Sequence, residues 1–228
     1  MAWYNIRYRV NGWKLVEGIY IPVQLGYGYS VLRFIDDGTY EQHEVALLKK
    51  HLSPGDRVLE LGTGIGFISA CCARMIGSEN VHTFEGNPAM APLIQQLYRK
   101  NNVQPQASIA MLGEKNGESS FFVNDDSFLA SSREQAGPMQ QKVVQERSLN
   151  EVIAALQPTY LILDIEGGEY DVFRIIDFKT IRKVQFELHP AVLTEQQAES
   201  IFSKLAANNF SQVEINGGNN YYFSRQDA

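Results

Sequence analysis

The sequence predicts an open α/β domain built on a mostly parallel sheet, and three observations carry that expectation. A short apolar run, Val58, Leu59 and Leu61, is followed by glycines at every second position, Gly62, Gly64 and Gly66. A helical pattern comes next, with Ile68, Cys71, Cys72, Met75 and Ile76 on one face. A second apolar run, Tyr160-Leu161-Ile162-Leu163, ends in the acids Asp164, Glu166 and Glu169. Around these two runs, strand-like segments alternate with segments of helical period. Continuous apolar runs suit strands buried on both faces, and intervening helices suit crossovers that keep strands parallel.

Taken in order, residues 1–35 read as a β-rich N-terminal extension, and residues 36–228 as the main domain. Trp3, Tyr4, Ile6, Tyr8 and Val10, then Trp13, Leu15, Val16, Ile19, Tyr20, Ile21 and Val23, are β-branched, aromatic or aliphatic. Asn11-Gly12 between the two runs reads as a hairpin turn, and Gly26 and Gly28 as a loose connection. Such an extension can cover a sheet edge, line a cleft or pair with a second subunit, so a homodimer is compatible with it. Gly38 to Glu44 leads into a helix over 45–51, which Ser53-Pro54-Gly55 ends.

After the central strand, 81–84 reads as the second strand and ends in Glu85-Gly86-Asn87-Pro88. Pro88 starts a helix to Arg99, and Asn101-Asn102 closes it. A third strand is expected over 107–112, closed by Gly113, and another over 117–123. The polar stretch 124–137, with Ser131-Ser132, reads as a mobile loop over the cleft. A short strand over 143–147 and a helix over 149–156 precede the acid-ended strand, which should lie beside the central one. A strand over 184–188 contains Glu187 and ends in His189-Pro190. Thr194, with Glu195 and Gln197, caps a helix to Asn208. Runs at 210–215 and 221–224 around Gly217-Gly218-Asn219-Asn220 read as a closing hairpin. There are no internal repeats.

Composition narrows the function. The chain has 228 residues, 44% hydrophobic and 20% charged, as expected of a globular domain. Net charge is −6 with no Lys/Arg block, which argues against a nucleic-acid partner, because phosphate binding needs clustered positive charge. No apolar run reaches the length of a membrane span, and MAWYNIRYRV does not read as a signal peptide. Cys71 and Cys72 are neighbours that point apart on a helix, so free buried thiols and a reducing, cytoplasmic setting are expected. No His/Cys cluster has zinc spacing, and no metal site is expected.

The glycine corner is a nucleotide-binding turn, where backbone approaches a ligand and a helix N-terminus offers free N–H groups. Its spacing is G-x-G-x-G, not the dinucleotide G-x-G-x-x-G. Glu60, just before it, would repel a pyrophosphate but suits the ammonium and sulfonium of S-adenosylmethionine. Glu85 stands where such domains place an acid for ribose hydroxyls, a geometry that serves NAD equally. Tyr40, His43 and Glu44 are near enough in sequence to reach the same ligand, and Met111 and Leu112 should face its adenine side. Asp164, Glu166 and Glu169 crowd the place where a transferable methyl would point, and His189 ends a neighbouring strand.

On these residues the chain resembles the class I S-adenosylmethionine-dependent methyltransferases, and among them the FkbM-type family. The likeness runs from about Gly38 to His189. It rests on Tyr40-Glu41 with Glu44, on Val58 to Gly66, on Glu85-Gly86-Asn87-Pro88, and on Leu163-Asp164-Ile165-Glu166-Gly167-Gly168-Glu169. It implies a Rossmann-like sheet of seven strands, the last antiparallel, with helices on both faces. It implies cofactor contacts at Tyr40, Glu44, Glu60, Gly62, Thr63, Gly64, Glu85, Gly86, Asn87, Met111, Leu112 and Asp164. It also implies O-methylation of a sugar or natural-product hydroxyl. The chain departs from the family in having Glu60 and Thr63-Gly64 where Asp and an Ala-Asn pair are frequent, and in its aromatic N-terminus. In-line transfer to a hydroxyl needs alignment and a proton acceptor. Asp164, Glu166, Glu169 and His189 are the candidates, and the acids could instead hold a divalent cation. The rival readings are a non-catalytic cofactor-binding subunit, an NAD-dependent oxidoreductase, and a methyltransferase acting on an amine or a nucleic acid.

Overall fold

The computed structural model describes residues 12–23, 27, 29–124, 131–132 and 139–225. The first described elements are a hairpin of β1 (Trp13–Val16) and β2 (Ile19–Pro22), then α1 (Tyr29–Asp37) and α2 (Gln42–His51). There follow β3 (Val58–Leu61), α3 (Phe67–Ile76), β4 (Val81–Glu85), α4 (Ala91–Asn101) and β5 (Gln106–Ile109). Four strands come next: β6 (Met111–Gly113), β7 (Gly117–Asn124), β8 (Ser131–Ser132) and β9 (Met139–Ser148). The chain continues with α5 (Leu149–Leu156), β10 (Tyr160–Leu163), α6 (Glu169–Ile175) and β11 (Lys183–Glu187). It closes with α7 (Glu195–Ala207), β12 (Phe210–Asn216) and β13 (Asn220–Arg225).

The main sheet has seven strands in the order β12-β13-β11-β10-β3-β4-β5. β11, β10, β3, β4 and β5 are parallel, and β13 runs against both its neighbours. The chain moves from β3 out to β5 and then returns to the other side of β3 at β10. That reversal puts the carboxyl ends of β3 and β10 side by side, the crevice where open α/β sheets bind ligands.

Side-chain alternation divides the core. Val58, Val81, Tyr160 and Ile162 face a layer made by α2, α3, α4 and the N-terminal hairpin. Leu59, Leu61, Leu161 and Leu163 face the opposite layer of α5, α6 and α7. A strand with helices on both sides must be apolar at every position, which is why 160–163 reads as an unbroken run. β6, β9, β7 and β8 form a separate four-stranded sheet.

The sheet, its parallel order, the placement of β10 beside β3 and the closing hairpin agree with the sequence reading. Several local expectations do not. The hairpin turn is at Glu17-Gly18, where both residues have positive φ, as a type I′ turn requires. The turn expected at Asn11-Gly12 involves Asn11, which lies outside the described residues, as do the aromatic run before it, Gly26 and Gly28. The last part of the expected β extension is helical, in α1, whose Leu32 and Ile35 are buried three residues apart. The single strand expected over 107–112 is broken at Ala110, and its second half joins β9 in the smaller sheet. The strand expected over 143–147 is the end of the longer β9. Met75, placed on the apolar face of α3, is exposed. Of the loop expected over 124–137, only Asn124 and β8 are described.

Candidate active site

A cleft of about 230 Å³ opens at the carboxyl ends of β3, β4, β10 and β11. Its volume is several times the roughly 30 Å³ of a water, so it has room for a small molecule. The glycine corner forms its floor. Gly62 N–H donates to the Phe84 carbonyl and Asp164 N–H to the Leu61 carbonyl, which ties β4, β3 and β10 together at this point. Gly62 has φ +92°, and a Cβ there would overlap the carbonyl oxygen of Asp164. Gly64 differs: φ is +53° and a Cβ would meet nothing within 4 Å, because that side faces the open cleft.

Glu85 is buried at the end of β4. One oxygen accepts from Gly64 N–H at 2.8 Å and the other from Asn87 N–H at 2.7 Å. Burial still pushes its carboxyl up to about 7. A carboxylate has about four acceptor sites, so Glu85 retains capacity for a diol. Glu60 is also on the cleft wall, but its carboxylate accepts from the Thr83 hydroxyl, and burial raises it to about 7. Thr63 and Thr83 share a hydroxyl contact beside it. Tyr40 packs on Phe67 with ring centroids 5.4 Å apart.

The opposite end of the cleft is acidic. Asp164 and Glu166 line it, and His189 stands behind them. His189 Nδ1 lies 2.9 Å from Glu169 Oε1, and its Nε2 lies 3.3 Å from Glu166 and 3.7 Å from Asp164. Glu169 is fully buried. Burial lowers the His189 imidazole, but the bond to Glu169 and the charges of Asp164, Glu169 and Glu166 outweigh it and raise it to about 9. The surrounding acids thus favour the imidazolium form of His189. Glu166 has φ +51°, an uncommon backbone state for a residue with a side chain, of the kind found where a site dictates orientation. Ligand-type atoms of Asp164, Glu166 and His189 lie within 4.8 Å of one another, a spacing compatible with the divalent cation that the sequence reading kept as the alternative to a metal-free site.

Of the residues expected to hold the cofactor, Tyr40, Glu44, Glu60, Gly62, Thr63, Gly64, Glu85, Gly86, Met111, Leu112 and Asp164 all line this one cleft. Asn87 is buried behind it: its side chain accepts from Ala89 N–H and starts the following turn. Glu169 and His189 back Asp164 and Glu166 and do not form the wall itself. His43 turns away, with Nδ1 3.1 Å from Asn216 Oδ1. The structure adds Glu41, Gln185, Glu187 and Asn220 to the wall. Glu187 left a readable signal, an acid at the end of an apolar strand. Asn220 left none, since only the antiparallel pairing of β13 with β11 brings it opposite Glu187.

A profile of the methyltransferase FkbM domain matches residues 60–215, from Glu60 in the glycine corner to β12. The chain belongs to the FkbM methyltransferase domain family. Its cofactor is S-adenosyl-L-methionine, and the FkbM cleft fits it in three ways. Gly64 leaves open space against the corner, Glu85 offers a diol acceptor, and the described wall carries carboxylates and no Lys or Arg, which suits a cationic ligand over a pyrophosphate.

Among curated proteins, the FkbM chain is 38% identical over 60 residues to protein-L-isoaspartate O-methyltransferase 1 of Arabidopsis thaliana, covering 25% of this chain and 24% of that protein. It is 32% identical over 96 residues to the ribosomal protein L11 methyltransferase of Thermus thermophilus, covering 41% and 35%. These matches span about a quarter to a third of the relatives' length. Among solved structures, a methyltransferase from Pyrococcus furiosus aligns with TM-score 0.53 and 14% identity over 98% of this chain and 97% of that one. The magnesium protoporphyrin IX methyltransferase of Synechocystis PCC 6803, solved with bound cofactor, aligns with TM-score 0.50 and 16% identity over 89% and 87%. At these identities the likeness is one of fold.

Proposed function

We propose that this protein transfers the methyl group of S-adenosylmethionine to a hydroxyl of a small molecule, a sugar or natural product. The observation that carries the reading is the single cleft that joins the glycine corner and Glu85 at one end to the Asp164–Glu166–His189 cluster at the other. The cofactor supplies an electrophilic methyl carbon. The chain has to hold the acceptor in line with it and take up the hydroxyl proton.

Asp164 or Glu166 takes the proton, since both line the cleft and burial raises both carboxyls. A base with a raised pKa is the better matched to a weakly acidic hydroxyl. His189, already protonated, balances their charge, and Glu169 fixes its ring through Nδ1. These two are positioning residues in this reading. The two cysteines are free and buried, which is consistent with a reducing cytoplasm, and no described helix is long and apolar enough to cross a membrane.

Calorimetric titration with S-adenosylhomocysteine, with NADH as the control, tests the cofactor assignment on wild type and Glu85→Ala. Binding of the homocysteine product that weakens in the variant supports the reading. Preference for NADH would instead favour an oxidoreductase. Transfer from radiolabelled cofactor to hydroxyl compounds then tests catalysis, and Asp164→Asn should lower kcat by about 100-fold or more.

A further inference from the structure

Seven carboxyl groups line the cleft, from Glu41, Glu44, Glu60, Glu85, Asp164, Glu166 and Glu187, with no Lys or Arg among the described wall residues. Most have evident work. Glu60 accepts from Thr83, Glu85 is placed for the ribose, and Asp164 and Glu166 face His189 and the methyl end. Glu41 accepts from the Tyr40 hydroxyl, which leaves Glu44 and Glu187. They adjoin each other at the start of α2 and the end of β11, where a hydrogen bond joins the two carboxyls and burial with the Glu187 charge raises Glu44 to about 7. Asn219 Nδ2 donates to one Glu187 oxygen. Gln185 Nε2 donates to the Glu44 backbone carbonyl at 3.2 Å, while the Glu44 carboxyl meets its own backbone N–H and the Glu187 carboxyl. His43 is a basic group beside Glu44, and its Nδ1 faces Asn216.

Asn220 supplies an independent observation. It lines the same cleft, is 2% exposed, and its Oδ1 has no hydrogen-bond donor among the described residues. It pairs with Glu187 across β11 and β13, so the two side chains share a face. A buried acceptor left without a donor is costly, and such an atom beside a ligand cleft points to a donor on the ligand.

We infer that the acceptor is a hydroxyl compound carrying a protonated amine, held by the carboxylates of Glu44 and Glu187 and by Asn220 Oδ1. The inference rests on methyl transfer in this cleft and names its substrate class. An ammonium has three N–H donors and no acceptor, which matches two carboxylates and one amide oxygen. Its nitrogen has no lone pair, so the hydroxyl stays the nucleophile. The hydroxyl oxygen bonds to the methyl carbon as the carbon–sulfur bond breaks onto sulfur, and the hydroxyl proton passes to Asp164 or Glu166. The products are a methyl ether and S-adenosylhomocysteine. The same carboxylates repel phosphorylated or nucleotide-linked acceptors.

The test is calorimetry on the protein saturated with S-adenosylhomocysteine. Glucosamine and tyramine are compared with N-acetylglucosamine and N-acetyltyramine, which keep the hydroxyls and lose the charge. At least one ammonium compound should bind about tenfold or more tightly than its acetylated partner. Glu187→Gln should remove about tenfold of that affinity while S-adenosylhomocysteine affinity stays within about twofold. Equal binding of charged and acetylated forms, or no binding of either ammonium compound, overturns the inference and leaves the cofactor assignment standing. Binding of Mn²⁺ alone that Glu187→Gln abolishes also overturns it, in favour of a metal ion in this place. Failure of S-adenosylhomocysteine to bind wild type is a separate result that removes the methyltransferase reading and this inference with it.

Discussion

Gly62 and Gly64 should respond to an added methyl group in opposite ways, although both have positive φ and stand two residues apart. At Gly62 an alanine Cβ would overlap the Asp164 carbonyl oxygen, with the carbonyl carbon at 2.7 Å and Ile165 Cγ2 at 3.1 Å. The obstacle is backbone at the end of β10, held by its bond to Leu61, so it cannot swing aside as a side chain would. Left-handed φ costs roughly 1–2 kcal/mol for a residue with a Cβ. Overpacking against fixed structure adds about 1–3 kcal/mol. Gly62→Ala should therefore lose about 2–5 kcal/mol of the roughly 5–15 kcal/mol that a domain has. At Gly64 only the conformational part applies, about 1–2 kcal/mol, because a Cβ there meets nothing. That methyl would instead stand in the cleft, and S-adenosylhomocysteine should bind about tenfold or more weakly. Urea unfolding and calorimetry on both variants decide the matter. A Gly64→Ala protein less stable than Gly62→Ala, or a Gly62→Ala protein within about 0.5 kcal/mol of wild type, would refute the argument.

Three other outcomes are expected. His189 is raised from 6.5 to about 9 in the folded protein, so its contribution to stability is complete below pH 6.5 and is lost as pH rises through 9. Urea midpoints across that window should fall for wild type and stay flatter for His189→Gln. Glu85 has the same sign in a lower window: an acid raised from 4.5 to about 7 by burial penalises the cofactor-free fold increasingly as pH climbs over that range. The penalty approaches roughly 3 kcal/mol, and Glu85→Gln should flatten that part of the stability curve. Finally, buried Asn101 exchanges hydrogen bonds with the Tyr20 backbone, 2.7 Å to its N–H and 2.8 Å to its carbonyl. Asn101→Ala should cost about 1–3 kcal/mol and speed hydrogen exchange of the Tyr20 amide, because β2 loses its anchor on α4.

Local sequence determined the parts of this protein whose pattern is fixed by immediate surroundings. Apolar runs, unbroken at 160–163 and interrupted by Glu60 at 58–61, specified β10 and β3 as buried strands, and the glycine spacing with Glu60 and Glu85 pointed to a cofactor corner without pyrophosphate character. The Thr194–Gln197 capping box fixed the start of α7, where both of its reciprocal bonds form. These signals are legible because helix ends, turns and two-faced burial depend on a few adjacent residues. The break at Ala110 was not, because a sheet partner far along the chain decides where a strand changes sheet, whereas the turn at Glu17-Gly18 is local, with Val16 paired to Ile19. The acidic end of the cleft belongs to the same class. Glu44 comes from α2, Asp164 from the loop after β10, Glu187 from β11 and Asn220 from β13, so no stretch of sequence contains their pattern. Only the crossing from β5 back to β10, and the reversed insertion of β13 beside β11, bring them to one place. Their mutual repulsion and Asn220's unmet acceptor are properties of that assembly, since charge and desolvation act through space and not along the chain.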